Sequence, residues 1–408
     1  MDVINKKYRV LMVHNFYQQP GGEDTVFRNE KKLLEDNGHE VITYTRNNSE
    51  LKGNILKKIL LPFITIFNPK TYFDIKKIIK DKNIDIVHVH NTLCLISPAV
   101  FYAALKMKTP VIQTLHNFRM QCANGLFYRD GHICEDCVSD GLLCALRHKC
   151  YRNSFLQTLA IVLMLKIHRF TGIYRKVNFI CLTEFNRNKL HLINNKKQIV
   201  DENRIYVKPN FVFEDNSSIV SNSDTYKKES MSAAKGYYLY AGRLDEIKGI
   251  DIVLEAFSKM PERELHVIGS EGEDYIKKYL GFSNIKFLGQ LSHEDVMTEM
   301  QYSVALIFPT KLYEGMPMTV IESFEKGVPV IVSDIGNAKE IVKDGVTGVH
   351  FKVGNVESLI NAIEKLDKID YDVLRENAYN EFKNKYTSKL GYINMINIYM
   401  NLVYILEG

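Results

Sequence analysis

Two glutamates, Glu314 and Glu322, flank a Gly-Met-Pro turn in the stretch PTKLYEGMPMTVIESFEKGVPVIVSD, from Pro309 to Asp334. Pro317 suits the first turn of a helix, where a missing N–H costs nothing. Gly327 suits its carboxyl end. The first-turn N–H groups of Met318, Thr319 and Val320, with the helix dipole behind them, form an anion site suited to a phosphate. A carboxylate beside a phosphate repels it, so Glu314 and Glu322 are expected to bind hydroxyls instead, and sugar rings carry such hydroxyls.

A diphosphate leaving group gains negative charge as its bond breaks, and something must stabilise it. In Ala241-Gly242-Arg243 and Lys248-Gly249, Arg243 can grip phosphate oxygens bidentately and Lys248 adds a point charge. The one Asp-x-Asp pair, Asp370-Tyr371-Asp372, lies beyond the last strand that this reading assigns and is read as a solvated turn rather than a metal site. Two apolar runs, Ile84–Asn91 and Pro110–Asn117, both end in His-Asn, which puts His90 and His116 at the carboxyl edge of a sheet. Gly21-Gly22 follows the first apolar run and permits close backbone approach to a ligand. Five of the seven cysteines fall within 122–150, and Cys134-Glu-Asp-Cys137 is a C-x2-C knuckle. Cys122, Cys134, Cys137 and Cys150 are expected to hold a structural zinc, with Cys144 spare.

The elements that must position these groups alternate. Strand-length apolar runs (Tyr8–Phe16, His39–Thr45, Ile84–Asn91, Pro110–Asn117, Asn178–Thr183, Arg204–Asn210) are separated by helix candidates, the pattern of a doubly wound parallel sheet. A second set (Tyr237–Arg243, Leu265–Ser270, Ile285–Gly289, Ala305–Pro309, Val328–Ser333) repeats it. The 408 residues therefore divide into an amino-terminal domain (1–210) with a Cys-rich insertion (117–152), a polar linker (211–235), a second domain (236–375), and final helices (376–408). No apolar stretch approaches the roughly 20 residues of a membrane span, and the start reads directly into a strand, with no signal peptide.

Charge is uneven. Net charge is +5, yet residues 236–375 hold 15 Lys/Arg and 23 Asp/Glu, leaving the rest strongly basic. Residues 141–183 contain seven Lys/Arg (Arg147, Lys149, Arg152, Lys166, Arg169, Arg175 and Lys176) and no acidic residue, around an apolar helix candidate at Ser154–Gly172. A Lys/Leu/Ile/Phe segment near Lys57-Lys58 has the same character, with Pro62 expected to interrupt any helix there. Basic and apolar groups on one element suit peripheral docking to an anionic bilayer. No nucleic-acid partner is expected.

Glu-x7-Glu around the Gly-x-Pro turn, the Gly21-Gly22 loop, Ala241-Gly242-Arg243 with Lys248-Gly249, and Val267-Ile268-Gly269 stand in an order that resembles the retaining nucleotide-sugar glycosyltransferases of family 4. The resemblance covers essentially the whole chain. It implies the GT-B fold: α/β, two Rossmann-like doubly wound domains facing across a cleft. It assigns Glu322 to the nucleotide ribose hydroxyls and Glu314 to those of the donor sugar. It puts Gly242, Gly269 and Gly315 against the donor, and His116, rather than His90, near donor sugar and acceptor. Retention of anomeric configuration without a metal cofactor is implied. So are a nucleotide-diphosphate sugar donor and a glycan acceptor. The basic, apolar first domain favours a lipid-linked acceptor at the inner face of a bacterial cytoplasmic membrane, as in surface polysaccharide assembly. An epimerase or phosphorylase of the same architecture, a nicotinamide dehydrogenase and a non-catalytic zinc-bearing membrane adaptor are the rivals. The phosphorylase lacks a visible pyridoxal-phosphate lysine, and Val267–Gly272 has the wrong glycine spacing for a dinucleotide fingerprint. The adaptor leaves the two glutamates and their cations unexplained.

Overall fold

The computed structural model describes residues 6–18, 21–53, 55–194, 197–214, 236–270 and 272–407. It forms two compact units, one of residues 1–129, 134–210 and 391–408, the other of residues 130–133 and 211–390. Most of the expected linker, residues 215–235, lies outside the described residues, as do the side chains of Lys57 and Lys58.

The first unit is built on a six-stranded parallel sheet of β1 (Arg9–Phe16), β2 (Glu40–Asn47), β3 (Ile86–Asn91), β4 (Val111–Leu115), β5 (Asn178–Cys181) and β6 (Ile205–Val207). Their order is β2-β1-β3-β4-β5-β6. β1 and β3 are apolar almost throughout because helices cover both faces of a parallel sheet. Leu11, Val13, Val87 and Val89 pack with Ile75, Ile79 and Phe101 from the covering helices Pro69–Lys82 and Ala99–Lys106. The order reverses between β1 and β3, and ligands bind such sheets outside the strands' carboxyl ends at this switch point.

The second unit carries another six-stranded parallel sheet: β7 (Tyr237–Ala241), β8 (Glu264–Ile268), β9 (Ile285–Gly289), β10 (Ala305–Phe308), β11 (Val330–Ser333) and β12 (Gly348–Phe351). Their order is β9-β8-β7-β10-β11-β12, with the reversal between β7 and β10. β12 has no counterpart among the apolar runs expected as strands.

Two local expectations change. Helix Ile55–Ile66 runs through Pro62 instead of stopping there. Its neighbour Phe155–Phe170 packs along it, and tertiary packing outweighs one missing N–H. The final helix, Ser388–Glu407, joins the first unit from residue 391 onward, while residues 376–390 stay with the second.

Candidate active site

In the second unit the chemistry collects at the β7/β10 switch point. β7 runs into Gly242 and Arg243, and the Tyr240 hydroxyl donates to the Arg243 carbonyl at 2.6 Å, fixing the turn. Asp245 caps the next turn by accepting from the Lys248 N–H at 2.8 Å. Gly249 has φ +78°, and a Cβ there would sit 2.1 Å from the Pro309 carbonyl oxygen, so the loops after β7 and β10 touch only because this residue is glycine. Gly269 meets the Gly242 carbonyl in the same way, at 2.0 Å from a built Cβ. Lys248 Nζ then reaches Glu314 Oε1 at 2.7 Å, and the Thr310 hydroxyl donates to the same oxygen at 2.9 Å. Arg243 pairs with Asp245 at 3.1 Å and remains half exposed.

The loop holding Glu314 is pinned from behind. Asn337, fully buried, donates its amide to the carbonyls of Glu314 and Gly315, the latter at 2.6 Å. Helix Met318–Glu325 follows, with Pro317 as its N-cap and no side-chain cap, so the N–H groups of Met318, Thr319 and Val320 have no partner among the described residues. Glu322 is 7% exposed, and its carboxylate likewise accepts no hydrogen bond among them. Burial, reinforced by Glu325, pushes its carboxyl up to about 7. A buried carboxyl without a donor and a helix without a cap together make a site for a ligand that brings both hydroxyls and negative charge.

The first unit has its own locus at the carboxyl ends of β1, β3 and β4. Gly21 is the N-cap of helix Gly22–Asp36, and a Cβ on Gly21 or Gly22 would meet nothing within 4 Å, so open space lies in front of this helix start. Behind it, Asp24 accepts from the Gly21 N–H at 3.2 Å and meets His14 Nε2 at 2.7 Å. Asn91 at the end of β3 donates to Glu23 Oε1 at 2.8 Å. Burial and then Asp24 push the Glu23 carboxyl up to about 8. His116, half-buried one residue past β4, lines a cavity with His90, Asn91, Arg119 and Tyr174. Its Nε2 lies 3.0 Å from His90 Nδ1, and the two rings are stacked. Burial, then His90, holds His116 well below the usual histidine range.

His116, Gly21 and Gly22 thus belong to the first unit, whereas Gly242, Arg243, Lys248, Gly269, Glu314, Gly315, Met318, Thr319, Val320 and Glu322 gather in the second. Glu23, Arg119 and Asn337 had no expected site role, and Asn91 entered only as the end of the His90-Asn91 pair.

The expected zinc ligands are gathered in part. Among the described residues no three of the Cys122, Cys134, Cys137 and Cys150 sulfurs lie within 4.8 Å of one another. A four-thiolate zinc needs them around one point, and Cys137 lies near both Cys122 and Cys150. A hydrogen bond from Cys137 pulls the Cys122 thiol down to about 6.

Helix Phe155–Phe170, capped by Ser154, buries one face and exposes the other. Leu156 and Phe170 on it, and Ile59, Leu60 and Phe63 on the adjoining helix, are each more than half exposed. Lys166, Arg175 and Lys176 are exposed nearby in sequence. Arg169 departs from the expected surface set: it is part-buried and donates to the Met120 carbonyl at 2.5 Å. Among the described residues no helix is long and apolar enough to cross a membrane.

Comparison with known proteins bears on both units. Residues 20–213 match the family model described as Glycosyltransferase Family 4, and residues 222–383 match Glycosyl transferases group 1. The O-antigen biosynthesis glycosyltransferase WbnH of Escherichia coli is 31% identical over 144 residues, 34% of this chain and only 40% of that protein's length. The UDP-Gal:alpha-D-GlcNAc-diphosphoundecaprenol alpha-1,3-galactosyltransferase of Escherichia coli is 25% identical over 224 residues, 51% of this chain and 57% of that one. Among solved structures, a glycosyltransferase from Rickettsia africae superposes with a TM-score of 0.65 at 20% identity, covering 97% of this chain and 99% of that one. Anabaena Alr3699/HepE in complex with UDP-glucose gives 0.60 at 15% identity, covering 98% and 99%.

Proposed function

From the chain's membership of the family 4 glycosyltransferases with the GT-B fold, we propose that it transfers a sugar from a nucleotide-diphosphate donor to a lipid-linked glycan, with retention and without a catalytic metal, in bacterial surface polysaccharide assembly. The observation that carries this reading is the pairing of an uncapped helix, Met318–Glu325, with the buried, undonated Glu322. The free amides suit the diphosphate, and Glu322 suits the ribose hydroxyls. Glu314, held by Lys248 and Thr310, offers its remaining acceptor sites to hydroxyls of the donor sugar.

As the glycosidic bond breaks, charge builds on the departing phosphate. Arg243, paired with Asp245, and Lys248, paired with Glu314, are cations on the loop after β7, and preorganised donors of this kind stabilise developing charge most where water is excluded. That is the role a metal plays elsewhere, and the Asp-x-Asp pair is otherwise engaged: Asp370 caps helix Tyr371–Lys385 by accepting from the Asp372 and Val373 N–H groups. The departing phosphate accepts the proton of the incoming hydroxyl on the same face, so no carboxylate nucleophile is required and the anomeric configuration is kept.

The lipid-linked acceptor is supported by the exposed apolar face of the two adjoining helices with its neighbouring cations, and by the diphosphoundecaprenol named for one relative. The enzyme then works peripherally on the inner face of the cytoplasmic membrane. A thermal-shift screen with UDP, GDP, ADP and their sugars tests the donor, because a ligand that binds the folded state raises its melting temperature. Transfer to a diphosphoprenol-linked saccharide, with the new anomeric centre read by NMR, tests the rest. No shift with any of the nucleotides or sugars defeats the reading.

A further inference from the structure

Behind His116 lies a file of buried polar groups that transfer chemistry as described above does not use. Glu30, on the buried side of helix Gly22–Asp36, is fully inaccessible, as is Lys208 just past β6, and the Lys208 ammonium donates to Glu30 Oε1 at 2.7 Å. Burial opposes ionisation of Glu30, yet Lys208 and then His90 hold it well below the usual carboxylate range, so it carries a charge. Its second oxygen, Oε2, lies 3.3 Å from His90 Nε2. The contact is one of charge proximity: neither atom has a hydrogen bond in good geometry among the described residues. His90 Nδ1 in turn lies 3.0 Å from His116 Nε2, and His116 lines the cavity. His88, beside them, is fully occupied by the Tyr399 and Thr114 hydroxyls and stands outside the file.

Hydrogen positions follow from this network. A carboxylate can only accept, and its charged Oε2 at 3.3 Å favours a proton on the facing His90 Nε2. A second proton on His90 would set two buried cations against one carboxylate, an arrangement with a heavy desolvation cost. Neutral His90 therefore has a lone pair at Nδ1, which requires a proton on His116 Nε2. His116 is left with a lone pair at Nδ1, the ring nitrogen with no partner among the described residues.

We propose that Glu30 and His90 are positioning residues that fix His116 as the Nε2–H tautomer, so that Nδ1 accepts a hydrogen bond from a hydroxyl of the sugar bound in the cavity. The proposal rests on the glycosyl-transfer reading for its substrate but not for its tautomer. The file is buried up to His116, held at its far end by an ion pair and closely spaced, so the imidazole is oriented before any sugar arrives. Preorganisation of this kind appears in turnover rather than in donor affinity.

The test uses the full chain labelled with 15N-histidine, with His116→Gln to assign the His116 signals among the twelve histidines. The expected spectrum has His116 Nε2 protonated and Nδ1 bare; a protonated Nδ1 overturns the proposal without reference to activity. His90→Phe should mix the two tautomers of His116 and lower kcat on the order of 100-fold, with the donor KM within about 3-fold. His90→Gln, whose amide can donate to Glu30 and accept from His116, should recover most of the loss. A soluble His90→Phe variant with wild-type kcat and an unchanged His116 spectrum also overturns it. A wild-type protein that shows the Nε2–H tautomer but transfers no sugar refutes the transfer reading while supporting the orientation.

Discussion

Glu322→Gln removes one charge from a place that resists it. The carboxyl is raised from an ordinary 4.5 to about 7, first by burial and then by Glu325. Each pH unit of that rise corresponds to about 1.4 kcal/mol, so ionising Glu322 in the empty, folded protein costs about 3 kcal/mol. The sign follows from linkage. A folded-state value above the unfolded one means that the native state binds the extra proton, so this contribution is fully present below pH 4.5 and is lost as pH rises through 7. Glutamine carries no such loss. Melting of wild type and Glu322→Gln without ligand should nearly coincide at pH 5 and separate toward pH 8, the variant being the more stable. Nucleotide binding reverses the preference, because ribose hydroxyls donate to the ionised form. Calorimetry of UDP binding at pH 6, in buffers of different ionisation enthalpy, should therefore show more proton release from wild type than from the variant, and equal release at pH 8.5. The comparison cancels the phosphate's own titration. A melting gap that does not change with pH, or equal proton release at pH 6, would refute the assignment of Glu322 to the hydroxyls.

Arg243→Ala and Lys248→Ala should each lower turnover about 100-fold or more, if each supplies about 3 kcal/mol to the leaving group. Circular dichroism should show both folded, and EDTA should leave wild-type transfer intact; a strict requirement for added magnesium would count against the metal-free scheme. Binding to vesicles should rise with anionic lipid and fall with salt, each surface cation contributing about 1 kcal/mol. Charge reversal at Lys166, Arg175 and Lys176 should release the protein in flotation while sparing activity on a short soluble acceptor, and unchanged flotation would sink the docking face. Arg169 is left out of that set because its bond to the Met120 carbonyl makes reversal a folding defect. Metal analysis of the purified protein should find about one zinc per chain, lost with stability in a Cys134/Cys137 double serine variant, and a protein without zinc would remove the four-cysteine site.

The alternation of apolar runs and helices exposed both sheets in advance, because a strand covered on two faces is continuously apolar, as in β1 and β3. β12 escaped because Gly348–Phe351 is four residues long and opens on a glycine. There a Cβ would sit 2.0 Å from the Val330 carbonyl, a constraint set by the neighbouring strand and invisible along the chain. The second-unit site residues were legible since Glu314 and Glu322 share one turn-and-helix signature. The first-unit set was not: Asn91 meets Glu23 across 68 positions, and Lys208 meets Glu30 across 178. No periodicity encodes such a contact. Pro62 and Arg169 misled for a common reason, in that local rules gave a helix break and a surface charge while tertiary packing decided otherwise.

The last helix has a consequence for how the protein is made. Residues 391–407 belong to the first unit, and Tyr399, fully buried, gives its hydroxyl to His88 on β3 from 311 positions away. At roughly 5–20 residues per second, His88 waits about 15–60 s on the ribosome for that partner, and His39 waits longer for Tyr392. The second unit, apart from residues 130–133, is one continuous span that emerges in full before them. Vectorial synthesis thus reverses the order of domain completion: the half made first matures last, with an unsealed core open to holding chaperones and to proteases throughout the interval. A premature stop anywhere before Met395 leaves that core unsealed for good, even though both sheets have been translated in full.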